Sequence, residues 1–244
     1  MLVKEWMSEP VITLDENTSV IKAIQVLKEH KIRRIPVTRD GKLVGIVTDR
    51  DIKEALPSKS SSMELHEFYY LVSELKLKDI MTKDVITISP DDTVEYASVL
   101  MLENKISGLP VVDKEGHVIG IITQSDIFKL FVKMLGVYLS PEQLALIIKS
   151  SEDLCEVISI FKKYKITIYS ILSWKEEVVF SIENKDWLNL NEKGARYVFL
   201  RFSKTDPEIL NSLIAELKQK FHFLYHKVED IHQLPRKIVS QSEN

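Results

Sequence analysis

The chain has 244 residues, 45% hydrophobic and 28% charged, and a net charge of -3, which excludes a disordered chain and leaves no basic surplus for nucleic acid. A single cysteine, Cys155, excludes an internal disulfide. No apolar run approaches the length of a membrane span and the N-terminus MLVKEWMSEP lacks the apolar core of a secretory signal, so a cytoplasmic protein without membrane contact is expected.

The first feature along the chain is an internal repeat. VKEWMSEPVIT (Val3–Thr13) aligns with LKDIMTKDVIT (Leu77–Thr87), 74 positions later. His30–Ile52 aligns with Asn104–Ile127, where one inserted residue, Glu115, shifts the offset to 75. Each unit is too small to bury its apolar face alone, so the two are expected to share one core.

The pattern predicts β-α-β-β-α in each unit. Short apolar segments PVIT and DVIT come first. Helix starts follow, at Asn17–Ser19 in the first unit and at Asp92 with Glu95 in the second. Val20, Ala23, Ile24 and Leu27 lie on one helical face, as do Val94, Ala97 and Met101. Ile35–Val37 and Leu43–Thr48 read as a hairpin, repeated at Leu109–Val112 and Val118–Thr123. A second helix opens near Asp51 and near Asp126. Between the units Ser58–Ser62 reads as a polar loop, followed by a connecting helix from Ser61 to Leu75 with Leu65, Phe68, Tyr69 and Val72 on one face.

Two strings, Gly45-Ile46-Val47-Thr48-Asp49-Arg50-Asp51 and Gly120-Ile121-Ile122-Thr123-Gln124-Ser125-Asp126, each follow an apolar strand containing a proline. On these residues, roughly 1 to 135 resemble the cystathionine-β-synthase (CBS) domain pair, or Bateman module. With the C-terminal part, the chain further resembles acetoin-utilisation protein B-like regulators. The resemblance implies clefts between the repeats for AMP, ADP, ATP, S-adenosylmethionine or NAD, acting as effector with no required cofactor. It implies ribose binding by Asp51 and Asp126, and phosphate contact by Arg33, Arg34, Thr48, Thr123 and Ser125. The adenine would meet Val11, Ile12, Thr13, Val85, Ile86 and Thr87, with Val37 and Val111 on the strands. A helix-opening aspartate can accept two bonds from a ribose diol, and equally can serve as a helix cap. Arg33 and Arg34 group by position with Asp51, making that the site expected to take a phosphorylated ligand. Ser107 and Gly108 stand at the equivalent places beside Asp126 and carry no charge, so that site is expected to favour less phosphate or to stay empty.

From about residue 138 the pattern reads β-α-β-β-α-β. It comprises a strand at Leu144–Lys149, a helix at Glu152–Tyr164, strands at Ile166–Trp174 and Arg196–Phe202, a helix from Asp206 or Pro207 to Lys220, and a strand at Phe221–Val228, with Val178–Ile182 as an extension of the second strand. This is a ferredoxin-like order, and it resembles the ACT domain. Ser150-Ser151-Glu152-Asp153 lacks the glycine that ACT domains carry between first strand and helix. A dimerisation or partner-docking role is therefore favoured over amino-acid binding. The expected fold is α+β throughout. Its parts are CBS repeat 1 (1–56), a connecting loop and helix (57–76), CBS repeat 2 (77–135), an ACT-like domain (138–230) and a mobile tail (231–244).

His222 and His226 share one face of a strand without a carboxylate or cysteine cluster to complete a metal site, and Cys155 reads as a core or boundary residue. Trp6, Trp174 and Trp187 form no stacking platform. No catalytic set and no phosphate-cradling glycine motif is present. The sequence therefore points to a homodimeric ligand-sensing regulator that acts on a protein partner, with a dimerisation scaffold lacking any small-molecule ligand as the alternative.

Overall fold

The computed structural model describes residues 1–56, 74–175, 195–229 and 231. Most of the expected connecting helix, the 178–182 extension, Trp187 and nearly all of the tail lie outside the described residues. The chain divides into two compact units, Met1–Lys129 and Leu130–Asn244.

The first unit holds β1 (Leu14–Asp15), α1 (Val20–Glu29), β2 (Arg34–Arg39), β3 (Lys42–Thr48) and α2 (Asp49–Ala55). The short α3 (Leu77–Ile80) precedes α4 (Val94–Glu103), β4 (Gly108–Val112), β5 (Val118–Thr123) and the start of α5 (Gln124–Met134). Ser19 and Thr93, equivalent in the repeat, cap α1 and α4, accepting from the N–H of Lys22 at 3.3 Å and of Tyr96 at 3.1 Å. The second helix therefore starts at Thr93 and not at Asp92, whose carboxylate is taken up by the Ser89 N–H of the preceding turn at 2.9 Å. Each repeat forms an antiparallel hairpin, β2 with β3 and β4 with β5, and a short parallel pairing joins it at Leu14↔Val37 in one repeat and Ile88↔Val111 in the other.

The segment leading into each repeat crosses to the other. Val3 and Lys4 donate backbone N–H groups to the carbonyls of Asp92 (2.9 Å) and Pro90 (3.0 Å), and Leu77 and Lys78 donate equivalently to Thr18 and Glu16, both at 2.9 Å. Further along, Ser8 exchanges two backbone bonds with Ile121, and Thr82 two with Ile46. Leu77 is buried in the core of the first repeat with Val20, Ala23, Leu27, Ile35, Val37, Val47 and Ile52. The crossing explains the two aligned glycines: a Cβ on Gly45 would sit 2.7 Å from Met81 Cγ, and one on Gly120 3.0 Å from Met7 Cγ. At those distances only a glycine admits the methionine of the crossing segment.

The second unit holds β6 (Glu142–Ile148), α6 (Ser151–Lys163), β7 (Ile168–Lys175), β8 (Arg196–Phe202), α7 (Pro207–Lys220) and β9 (His222–Val228). Its antiparallel sheet has the order β7-β8-β6-β9. Leu144, Leu146, Ile148, Val198, Leu200 and Phe202 pack against Val157, Ile160, Phe161, Leu213 and Leu217 of the two helices. The sequence periodicity puts Leu154, Val157, Ile158 and Phe161 on one face of α6 and Ile209, Leu213, Ile214 and Leu217 on one face of α7, yet Ile158 and Ile209 are exposed. On α6 the inward stripe follows Val157, Ile160 and Phe161, so Ile160 takes the place assigned to Ile158. Cys155, expected in or at the core, is exposed. Among the described residues no helix is long and apolar enough to cross a membrane.

The crossing makes a stability prediction. Leu77→Ala should cost about 2–5 kcal/mol, and chemical denaturation should show the loss in the whole first unit, because the cavity opens in the core of the opposite repeat. In the second unit Ser150 and Asp153 cap α6 reciprocally: Asp153 accepts from the N–H of Lys149 (2.7 Å) and of Ser150 (3.1 Å), and Ser150 Oγ accepts from the Asp153 N–H (3.1 Å). The Lys149 N–H, aided by Ser150, holds the Asp153 carboxyl below the usual carboxylate range. A depressed folded-state value gives stability that is complete above the unfolded pKa of about 4 and drains away as pH falls through the folded one. Asp153→Asn should therefore flatten the acid limb of the pH–melting curve and leave its shape near neutrality unchanged.

Candidate functional site

The crossing determines which residues meet. Because Ser8 is bonded to Ile121, the chain emerging from the crossing carries Val11 and Ile12 to the turn that opens α5. There a cleft of about 500 Å³ lies between the repeats. One wall is apolar, made by Val11, Ile12, Ile32 and Pro36 of the first repeat with Ile121 of the second. The opposite wall is the turn Thr123–Asp126 at the start of α5, whose N–H groups and hydroxyls are of the kind that receive anions. Four cations line the same cleft: Lys31, Arg33 and Arg34 from the first repeat, Lys129 from the second.

Asp126 is only 6% exposed, yet it lines this cleft. Its Oδ2 accepts from the Thr123 N–H at 3.0 Å and the Thr123 hydroxyl at 2.7 Å, which fixes the carboxylate. Its Oδ1 accepts from Lys129 Nζ at 3.0 Å. The Lys129 side chain is 74% exposed, so the pair is held weakly at the lysine end. Asp126 thus serves as cap and as acceptor at once, one oxygen for each task.

Arg34 is half-buried, and its Nη2 donates to Ser107 Oγ across the seam between the repeats. Burial, followed by the Arg33 charge beside it, lowers its pKa from the ordinary guanidinium value. Two adjacent cations, one of them desolvated, are a standing electrostatic cost that an anion in the cleft relieves.

The structure corrects the expected grouping. Arg33 and Arg34 of the first repeat line the cleft of Asp126, together with the turn Thr123–Asp126 of the second. Thr48 and Asp51 form a capping box for α2: Asp51 Oδ2 accepts from the Thr48 N–H and hydroxyl, both at 2.7 Å, and Thr48 Oγ1 accepts from the Asp51 N–H at 3.3 Å. Neither lines the cleft. Arg50 turns to Glu54 at 2.8 Å. Val85 and Thr87 line a separate hollow of about 260 Å³ with Leu43, Val44 and Val112, away from Thr48 and Asp51. Thr13 and Ile86 are half-buried and line neither space. Val37 and Val111 are 0% exposed and their side chains are core, so neither can lie against a base; Pro36 is the strand residue that reaches the cleft.

Lys31 and Lys129 are not singled out by the sequence, and Ser107 enters there only as a place without charge. Lys129 lies one turn beyond the helix-opening aspartate, a spacing that signals a reachable partner. Lys31 and Ser107 become relevant only once the crossing is known. Elsewhere, His226 Nε2 lies 2.6 Å from Glu142 Oε2, and no cluster of three potential metal ligands occurs among the described residues.

The comparisons agree with this architecture. The CBS domain family matches residues 3–58 and 77–133. A CBS domain-containing protein of Dictyostelium discoideum, DDB_G0289609, is 35% identical over 136 residues, covering 55% of this chain and 94% of that protein. The chain belongs to the CBS-domain family, and its tandem repeats are a CBS domain pair in a mixed α+β fold. L-aspartate semialdehyde sulfurtransferase of Methanocaldococcus jannaschii is 38% identical over 131 residues, which is 53% of this chain but 23% of the enzyme, so the chain spans about a quarter of that relative. The crystal structure of the CBS domain pair of protein MJ0100 in complex with 5′-methylthioadenosine and S-adenosyl-L-methionine is 36% identical, covers 55% of this chain and 97% of its own, and has a TM-score of 0.46.

One consequence of the Asp126 geometry is independent of any ligand. Thr123→Val removes the hydroxyl donor to a buried carboxylate and should destabilise the first unit by about 1–3 kcal/mol, read from urea midpoints at constant m-value.

Proposed function

We propose that this protein is a regulatory sensor whose Asp126 cleft binds an adenosine-containing ligand. The observation that carries the reading is the junction of three chemistries across the repeat seam: the apolar wall of Val11 and Ile12, the fixed Asp126 carboxylate, and four cations. A purine fits against the first, a ribose diol against the second, and phosphate against the third. The cations favour AMP, ADP or ATP; NAD also carries phosphate, whereas S-adenosylmethionine would bring a positive charge to a basic cleft. In this reading Asp126 binds ribose, Arg33, Arg34, Thr123 and Ser125 bind phosphate, and Val11 and Ile12 contact the base. Thr48 and Asp51 would act in the second, pseudo-equivalent cleft, where Thr48 holds Asp51 Oδ2 as Thr123 holds that of Asp126.

The second unit has the strand order and helix placement of a ferredoxin-like domain, and we read it as an ACT-type module spanning about 138–230. The repeats then occupy 1–56 and 77–135. Ligand occupancy biases the relative orientation of the repeats, and the second unit passes that bias to a protein partner in the cytoplasm; the chain itself is regulatory and not catalytic. Such a relay requires the ligand to bind one state more tightly than the other. Tyr96, Val99 and Leu102, spaced by three along α4, are exposed, which supports a homodimer and also the scaffold reading. Sedimentation and scattering with and without AMP separate the two: a sensor changes its shape or association, a scaffold does neither.

Calorimetry and thermal shift test the binding itself. At a ligand concentration of ~100 Kd the linkage is about 2.7 kcal/mol, a rise in Tm on the order of 5 °C. Asp126→Ala should abolish the rise, and Asp51→Ala should keep most of it. No heat and no shift with AMP, ATP, NAD or S-adenosylmethionine would remove the reading.

A further inference from the structure

Arg34 and Gly108 are equivalent residues of the repeat. Each opens the first strand of its hairpin, and each pairs with the threonine that precedes the helix, Arg34↔Thr48 and Gly108↔Thr123. In space they meet. A Cβ on Gly108 would clash with Arg34 Nη1 and lie 3.0 Å from its Cζ. The guanidinium therefore rests over the Gly108 backbone, in the volume a side chain there would fill. Ser107, the next residue, accepts its hydrogen bond from Nη2. The neighbouring backbone oxygen of Ile122, 3.1 Å from that same Cβ position, closes the far side.

The exchange is asymmetric: one repeat supplies the cation and the other the vacancy. It aims a single desolvated guanidinium into the cleft lined by Thr123, Ser125 and Asp126. The other charged groups of the cleft are Arg33, Lys31 and Lys129, with the Asp126 carboxylate bonded to Lys129, and Asp49 adds an attractive charge from α2. With no bidentate carboxylate partner among the described residues, the fork presents the planar donor set that a phosphate accepts.

We propose that Ser107 and Gly108 are positioning residues that seat Arg34, and that this seat makes the Asp126 cleft select a phosphorylated adenosine ligand over adenosine itself. The proposal rests on the adenosine reading above and adds to it the determinant of phosphate selectivity.

The test is calorimetry of the full chain with AMP and with adenosine. The native protein should bind AMP at least tenfold more tightly than adenosine. Gly108→Ala should bring AMP affinity close to that of adenosine while adenosine affinity stays within about twofold of native, since the group that must yield is the far end of a flexible side chain. Ser107→Ala, which adds no bulk, should lower the AMP-to-adenosine ratio in the same direction by a smaller factor. Arg34→Ala in the Gly108→Ala background should cause no further loss, because the seat is already vacant. An unchanged ratio in both Gly108→Ala and Ser107→Ala, with adenosine still bound, overturns the seat and leaves the adenosine reading standing. Absence of binding by either compound to the native chain overturns both.

Discussion

The reciprocal crossing of the two leading segments is the constraint on which the first unit depends. Val3 is bonded to the turn before α4, and Leu77 fills the core of the first repeat. Neither repeat can close its hydrophobic interior without the other's chain. The backbone bonds of Ser8 with Ile121 and of Thr82 with Ile46 fix the segments in register, and Gly120 and Gly45 admit Met7 and Met81 beneath them. Every subsequent property of the cleft follows from this exchange, since it decides which side chains from distant parts of the sequence become neighbours.

The clearest functional consequence is that charge and carboxylate come from different repeats. Residues some 90 positions apart, such as Arg34 and Asp126, line the same cleft. Duplication followed by divergence then acts on each cleft separately. The Asp126 cleft has gathered four cations, while Thr123 and Thr48 hold one carboxylate oxygen of Asp126 and of Asp51 in the same way. A shift of the repeats against each other would alter the separation of Val11 from Asp126 directly, which is the physical route by which occupancy and orientation can be coupled.

Much of the fold was legible because the repeat is local in its signals: helix faces at Val20, Ala23 and Leu27, hairpins around Pro36 and Pro110, and caps at Ser19 and Thr123–Asp126. The β-α-β-β-α-β order of the second unit was legible for the same reason. What the sequence did not reveal was non-local. It shows Arg33 and Arg34 beside Asp51 in the repeat, and position in a repeat does not reveal that both line the cleft of Asp126. It offered Val37 and Val111 to a base because alternation shows that a strand is half-buried without showing what lies on each face, and both side chains point to the core. The helix faces of the second unit differ from the periodicity at Ile158 and Ile209, where several apolar positions compete for a stripe of limited width. Lys129 had a visible spacing to Asp126 but was overshadowed by the threonine and serine before it.

The most direct measurement of the account is a crystal structure of the chain grown with AMP. The account predicts a purine against Val11 and Ile12, the ribose hydroxyls on Asp126 Oδ1 in place of Lys129, and the phosphate beside Arg33 and Arg34. A nucleotide bound at Thr48 and Asp51 alone, or elsewhere with the Lys129–Asp126 pair intact, would contradict it.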